Sequence, residues 1–328
     1  MRLINVYILI ILSFGFVIYS CNEDEYSIPV PKSGLQNDCI KHSLGPNVIG
    51  TEMVFAYAMA LLPEEGNITS AQVEASIPGG NGTYLSNESL HTDGTGSNVG
   101  VVIGNPSTQS GNITTVTFTK DTCAATLRFY YVVPEEARGK TVTFTFTANA
   151  SNGQTVSYEM GPYDIRNMDM KLDMEAIDST LYFISIADMA VYGAEEASAN
   201  SQKIDLVYLY RNIPGVTFNH ALMAPSADPQ YLRDIIIPTG LSNMTKIIKA
   251  WNIQDQQLAR LQYGVYIDDL DFQNLDFTNA PDYALNTRSE SGIWVETQDG
   301  KYRAYIFINA INNADKKITF SIKRLQMN

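Results

Sequence analysis

The sequence predicts a mainly β protein: an N-terminal immunoglobulin-like β-sandwich followed by a sheet-dominated α+β domain. Short runs rich in Thr, Val, Phe and Tyr recur across residues 51–160, and these types suit a pleated, half-buried surface. Turn chemistry separates the runs, at residues 78–82, 134–139 and 151–153, with the regular spacing of an antiparallel sandwich. Past residues 162–169 the texture shifts to longer apolar runs mixed with helix-forming stretches. A chain of 328 residues, 45% of them hydrophobic, can bury two cores.

In the first half, residues 52–61 are apolar enough for a largely buried strand, although their alanines and methionines also suit a helix. Residues 70–77 alternate, with Ala71, Val73, Ala75 and Ile77 on one face. Residues 113–119, 124–133 and 141–147 supply further strands. Residues 79–111, rich in Gly, Ser, Asn and Thr and interrupted only at 99–103, read as exposed loops. In the second half, residues 181–186 and 204–210 are expected as buried strands, with a short helical turn at 193–199 between them. Residues 247–262 form the best longer helix candidate. Residues 292–297 and 301–311 pair as a hairpin across Gln298-Asp299-Gly300, an Asp-Gly turn, and residues 318–325 add a last strand.

The amino terminus carries an address. Arg2 precedes an apolar stretch, residues 3–18, too short for a spanning helix and ending abruptly in polar sequence, as in a secretory signal. Ile18-Tyr19-Ser20-Cys21 then resembles the lipobox of bacterial lipoproteins, although Tyr19 is bulkier than the residue usual there. The resemblance implies cleavage before Cys21 and acylation of that residue, and several acyl chains anchor stably. Glu23-Asp24-Glu25 resembles the surface-export signal of Bacteroidetes lipoproteins, which implies the outer leaflet of the outer membrane. The expected layout is a lipoprotein signal peptide at 1–20, a lipidated Cys and extended spacer at 21–37, a β-sandwich domain at 38–165 and an α+β domain at 166–328.

The formal charge is −13, and loss of Arg2 with the leader makes the mature chain −14. That balance argues against a nucleic-acid partner, since a phosphate backbone needs a basic face. With Cys21 acylated, Cys39 and Cys123 remain in a disulfide-permissive compartment, and the sequence leaves a bridge and two separate thiols equally open. His42, His91 and His220 are too dispersed for a zinc site.

Residues 182–186, Val191-Tyr192, Glu195-Glu196-Ala197, Ala199-Asn200, residues 203–206, Tyr208 and Ala224-Pro225-Ser226 look like a module recurring in Bacteroidetes surface lipoproteins. With the anchor and the two-part layout, nearly the whole mature chain is similar to a two-domain lipoprotein family of unknown function from gut Bacteroidetes. That resemblance implies location and architecture and brings no site residues.

The candidate chemistry is sparse. Asp268, Asp269 and Asp271 head the densest carboxylate cluster and could collect a calcium ion, although the stretch lacks the glycine turn and terminal glutamate of an EF-hand loop. A paired-acid glycosidase is a sharper reading of the same acids. Ile267, Leu270, Phe272, Leu275 and Phe277 among them point instead to an acidic solvent face over an apolar one. His220 would need Ser226 or Asp228 as a partner for general-base work. Trp251 and Trp294 are candidates for stacking on sugar rings if exposed, the competing role being core packing. The expectation is a non-enzymatic surface module with no resident cofactor, binding an extracellular ligand such as glycan, or other surface proteins. A structural or adhesive, fimbria-like component is the alternative, and a hydrolase comes third.

Overall fold

The computed structural model describes residues 32–232 and 235–327. The signal peptide, Cys21 and most of the spacer lie outside the described residues. From Leu35 onward the chain clusters as one compact unit. It is mainly β, and among the described residues no helix exceeds six residues. None is long and apolar enough to cross a membrane.

The first domain holds β1 (Gln36–Lys41), β2 (Glu52–Ala60), β3 (Ile68–Ala75), β4 (Tyr84–Leu85), β5 (Glu88–Thr92) and β6 (Asn98–Val102). It continues through β7 (Thr108–Ser110), β8 (Ile113–Thr117), β9 (Ala124–Val132), β10 (Thr141–Ala150) and β11 (Thr155–Asp164). Two antiparallel sheets, ordered β1-β2-β9-β4 and β11-β10-β3-β8-β7, pack face to face. Strict alternation builds the core: Leu127, Phe129 and Tyr131 point inward from β9, and Val142, Phe144 and Phe146 from β10. Phe55 meets Phe144 at 4.7 Å between centroids, and Tyr131 meets Phe144 edge-on at 4.9 Å. The flanks expected as loops, on either side of residues 99–103, instead carry β4, β5 and β7, and β5 pairs with β6, which falls on that interruption, as a separate ribbon. Val99, Val101 and Val102 stand exposed on that ribbon, so it is a strand pair without a core face.

The second domain holds β12 (Met168–Ile177), β13 (Phe183–Ser185), β14 (Ala190–Tyr192), β15 (Leu206–Ile213) and β16 (Val216–Met223). It ends with β17 (Lys246–Ala250), β18 (Tyr283–Thr287), β19 (Gly292–Glu296), β20 (Tyr302–Asn312) and β21 (Lys317–Gln326). Sheets ordered β12-β21-β20-β19-β17 and β14-β13-β15-β16-β18 again form a sandwich. The expected helical turn is present as Ala194–Ala199.

The sheet containing β20 is buried on both faces. Ala304, Ile306 and Ile308 face the partner sheet, while Tyr305 and Phe307 face a cover formed by residues 253–280. A continuous apolar run is the signature of a strand covered on both sides. The cover contains two short helices, Gln256–Ala259 and Asp269–Asn274. The long helix expected at 247–262 is therefore absent: Lys246–Ala250 pairs antiparallel with β19, and helix resumes for one turn only. Pairing on an open sheet edge outweighs the helix propensity of that segment.

A charged pair pins the cover. Lys323 sits mid-strand on the covered face of β21, fully buried, with Nζ 2.6 Å from Asp255 Oδ2 and donating to Ile267 O at 2.9 Å. Asp255 also accepts from Leu258 N at 2.9 Å, capping the first helix of the cover, and from Ile267 N at 2.7 Å. Burial pulls the Lys323 ammonium below its usual pKa, and Asp255 opposes that shift.

The two sandwiches meet through the loop 45–48. Asn47 bridges to Ile165, Arg166 N donates to Asn47 O, and Gln257 Nε2 donates to Pro46 O at 3.0 Å. Gly45, at φ +86°, lies so close to the Tyr266 ring that any Cβ there would collide with it. Asp169 takes Arg138 from the first domain at 2.6 Å and Arg324 from the second.

Candidate functional site

Two recesses lie at opposite ends of the second sandwich, because β15 and β19 each run from one to the other. The first, about 300 Å³, is lined by Asn219, His220, Asn286, Arg288, Ser289 and Asn313 among others. Backbone irregularity builds it. The pairing of β16 with β18 slips between His220 and Leu222, and that of β20 with β21 slips between Ile308 and Ala310. Such bulges re-aim side chains at strand ends. Asn219 and Asn286 both adopt positive φ, which asparagine tolerates better than most residues.

His220 forms the floor and is 1% exposed. Its Nδ1 lies 2.7 Å from the Tyr208 hydroxyl and its Nε2 2.8 Å from Asn313 Oδ1. A neutral ring satisfies both contacts, accepting from Tyr208 and donating to Asn313. Burial lowers its pKa and so favours that neutral form. The partners considered from sequence, Ser226 and Asp228, are not the ones His220 uses. Asn219 Nδ2 donates to Asn286 Oδ1 at 2.9 Å across the recess wall.

Trp251 does not line this recess but is linked to it through Lys249, and is 54% exposed. Lys249 Nζ sits 4.1 Å from the centre of its ring and donates to Leu285 O at 2.6 Å and Asn286 O at 2.8 Å. One ammonium thus ties the exposed indole to the backbone of the strand that lines the recess. Trp294 takes the other role. It is 6% exposed, with Phe272 edge-on at 5.4 Å and Tyr305 at 4.5 Å. It alternates with Ile293 and Val295 and so points into the cover, which removes it as a stacking platform.

The second recess, about 390 Å³, gathers Asp188, Lys203, Asp205, Asn243, Asp299 and Tyr302 with others. Its charges are largely spent on one another and on turns. Lys203 Nζ pairs with Asp188 at 3.1 Å, and Asp299 accepts from Thr297 Oγ1 at 2.7 Å and from Lys301 N at 3.0 Å. Asp205 accepts from Ile186 N at 2.8 Å, while Arg324 donates to the carbonyls of Ile186 and Ala187, so the 186–187 turn is clamped from both sides. Burial, then the neighbouring Asp299, pushes the Asp205 carboxyl up to about 7.

The acids weighed as a calcium site against an acidic solvent face do not converge. Asp268 accepts from Leu270 N and Asp271 Oδ2 accepts from Asp268 N, both at 2.9 Å, forming a capping box on the helix Asp269–Asn274. Asp269 pairs with Arg166 at 3.3 Å. Among the described residues no group of three or more His, Cys, Asp or Glu could hold a metal ion. Cys39 and Cys123 are both free thiols. Cys39 points into the core from β1, in register with Tyr57 of β2, with its pKa raised to about 12, mainly by burial. Cys123 lies beside Gly66 O and Asn67 Oδ1.

Lys249, Arg288 and the three asparagines escaped the sequence reading. The available signal was asparagine inside apolar strand runs, at 219 and 286, where it is disfavoured unless a bulge accommodates it; Asn313 lies in a turn and carried no such signal.

Fold and recesses together define a two-sandwich, mainly β protein with recesses of about 300 and 390 Å³ at the ends of its second domain. Residues 32–165 match the family model described as Domain of unknown function (DUF4466), and residues 166–327 match Domain of unknown function (DUF8576). The crystal structure of a DUF4466 family protein from Parabacteroides merdae is 43% identical, with a TM-score of 0.85 over 90% of this chain and 100% of that one. The chain belongs to the DUF4466 family. The major pilin subunit BcpA of Bacillus cereus (12% identity, TM-score 0.27, 46% of each chain) is too distant to carry an argument. The same holds for an exo-β-N-acetylglucosaminidase of Vibrio harveyi (12%, 0.21, 45% of this chain and 22% of that one). No curated protein matches.

Proposed function

We propose that this is a lipid-anchored Bacteroidetes surface protein, fixed to the outer membrane through Cys21, that binds extracellular glycan without acting on it. The observation that carries the binding role is Trp251: an exposed indole tied by Lys249 to the backbone of Asn286, whose recess is lined with carboxamides and hydroxyls. Sugars are recognised by such a combination, a flat apolar face for the ring and planar polar groups for the hydroxyls. The lipobox at 18–21 and the acidic residues behind it support the location, as does a relative in Parabacteroides merdae. The non-catalytic reading draws on His220, whose two ring nitrogens are both engaged by Tyr208 and Asn313.

The test is retention of the full chain, held in detergent, on a panel of immobilised polysaccharides. Binding to at least one, lost in Trp251→Ala, is the expected result; no retention on any polymer counts against the proposal. A structural or adhesive role is the second reading, favoured by Val99, Val101 and Val102 exposed on the β5–β6 ribbon. It predicts self-association that Val101→Lys abolishes.

A further inference from the structure

Carboxylates are in surplus in a chain of formal charge −13, and most cations of the second domain take one: Lys203, Arg211, Lys246, Arg260, Arg303, Lys317, Lys323 and Arg324 are all paired. Among the described residues of that domain Lys171, Lys249, Arg288, Lys301 and Lys316 form no ion pair, and of these Lys249 and Arg288 act on one another. Arg288 stands close enough to help burial hold the Lys249 ammonium below its usual pKa. Two like charges side by side repel unless an anion comes between or beside them. The nearest carboxylate in sequence, Glu290, accepts from Gln254 Nε2 at 3.1 Å.

The uncharged groups of the recess point the same way. Asn286 Oδ1 is taken by Asn219 and Asn313 Oδ1 by His220, so these two carboxamides keep their NH₂ groups as donors, while Asn219 keeps its oxygen as the one free carboxamide acceptor. No Asp or Glu lines the recess. It offers two carboxamide NH₂ groups and Arg288, and Lys249 links it to an exposed indole, all in an acidic protein.

We infer that this recess selects saccharides bearing an anionic group, a carboxylate or a sulfate, with Arg288 engaging the anion and Trp251 the face of the sugar. Arg288 offers the planar fork that suits either oxyanion. Lys249 supplies field more than contact, since two of its three protons already go to Leu285 O and Asn286 O. The inference rests on the proposal that the recess binds glycan, and the experiment separates the two.

The full chain in detergent is titrated with polygalacturonate, its methyl ester, dextran sulfate and unmodified dextran. At least one charged polymer is expected to bind about ten-fold or more tightly than its neutral counterpart, as one charge-assisted contact implies. Raising the salt should weaken that binding, and Arg288→Gln should bring the ratio to about one. Preference for polygalacturonate alone assigns the carboxylate, and preference for dextran sulfate alone the sulfate. Equal binding of charged and neutral forms, or a preference that survives Arg288→Gln, overturns the anion inference and leaves glycan binding standing. Failure to bind any of these four overturns it too, and retention on a different neutral polysaccharide would then preserve the parent proposal.

Discussion

Trp294 is wedged between Phe272 and Tyr305 on the covered face of its sheet, so truncation there opens a cavity that the rigid strands cannot close. Trp294→Ala is expected to cost about 3–5 kcal/mol in denaturant unfolding. Trp251→Ala, at an exposed site, should stay within about 0.5 kcal/mol while removing glycan retention. Asp205 offers a test of sign. Its folded pKa of about 7 lies above the ordinary 3.8, so its favourable contribution is present below pH 3.8 and lost as pH rises to about 7. Asp205→Asn, which keeps an acceptor for Ile186 N, should therefore gain stability relative to wild type across that window. The gain approaches at most about 1.4 kcal/mol per pH unit and levels off above pH 7. Unfolding midpoints measured from pH 4 to 8 check this, and a difference independent of pH contradicts it.

The cover of residues 253–280 behaves as an element whose seat is the Asp255–Lys323 pair. Removing one partner leaves a buried charge uncompensated, so Asp255→Ala or Lys323→Ala should each cost about 3–5 kcal/mol. Lys323→Met combined with Asp255→Asn should cost clearly less than the two single alanine losses together, read from urea unfolding of all variants. This is also where the sequence was hardest to read. Strand alternation made the first sandwich legible, because Leu127, Phe129 and Tyr131 each repeat at period two. In residues 247–262 the apolar Ile247 and Ile248 precede the helix-forming Gln256 to Ala259, and pairing with β19, a contact far away in sequence, splits them. Trp294 and Lys323 are ambiguous for the same reason: nothing local reveals that the outer face of their sheet is covered. The acidic-over-apolar pattern at 267–277 was legible in part: Ile267, Phe272 and Phe277 are buried and the aspartates serve caps and an ion pair, but Leu270, read on the apolar face, is exposed. The recess was not, since Asn219, Asn286, Arg288 and Asn313 come from three separate strand ends or turns and meet only when bulges turn them together.

At the scale of the whole molecule, two sandwiches share one compact unit, joined at loop 45–48 and through Asp169 between Arg138 and Arg324. The glycan-binding reading needs this body to stand at a membrane surface, and that location rests on Cys21. The most direct measurement is metabolic labelling with radioactive palmitate in a Bacteroidetes host, followed by fractionation of the wild type and Cys21→Ser. The account predicts label and outer-membrane recovery for the wild type, with both lost in the serine variant. A wild type that takes up no palmitate, or a Cys21→Ser protein that still sediments with membranes, would contradict it.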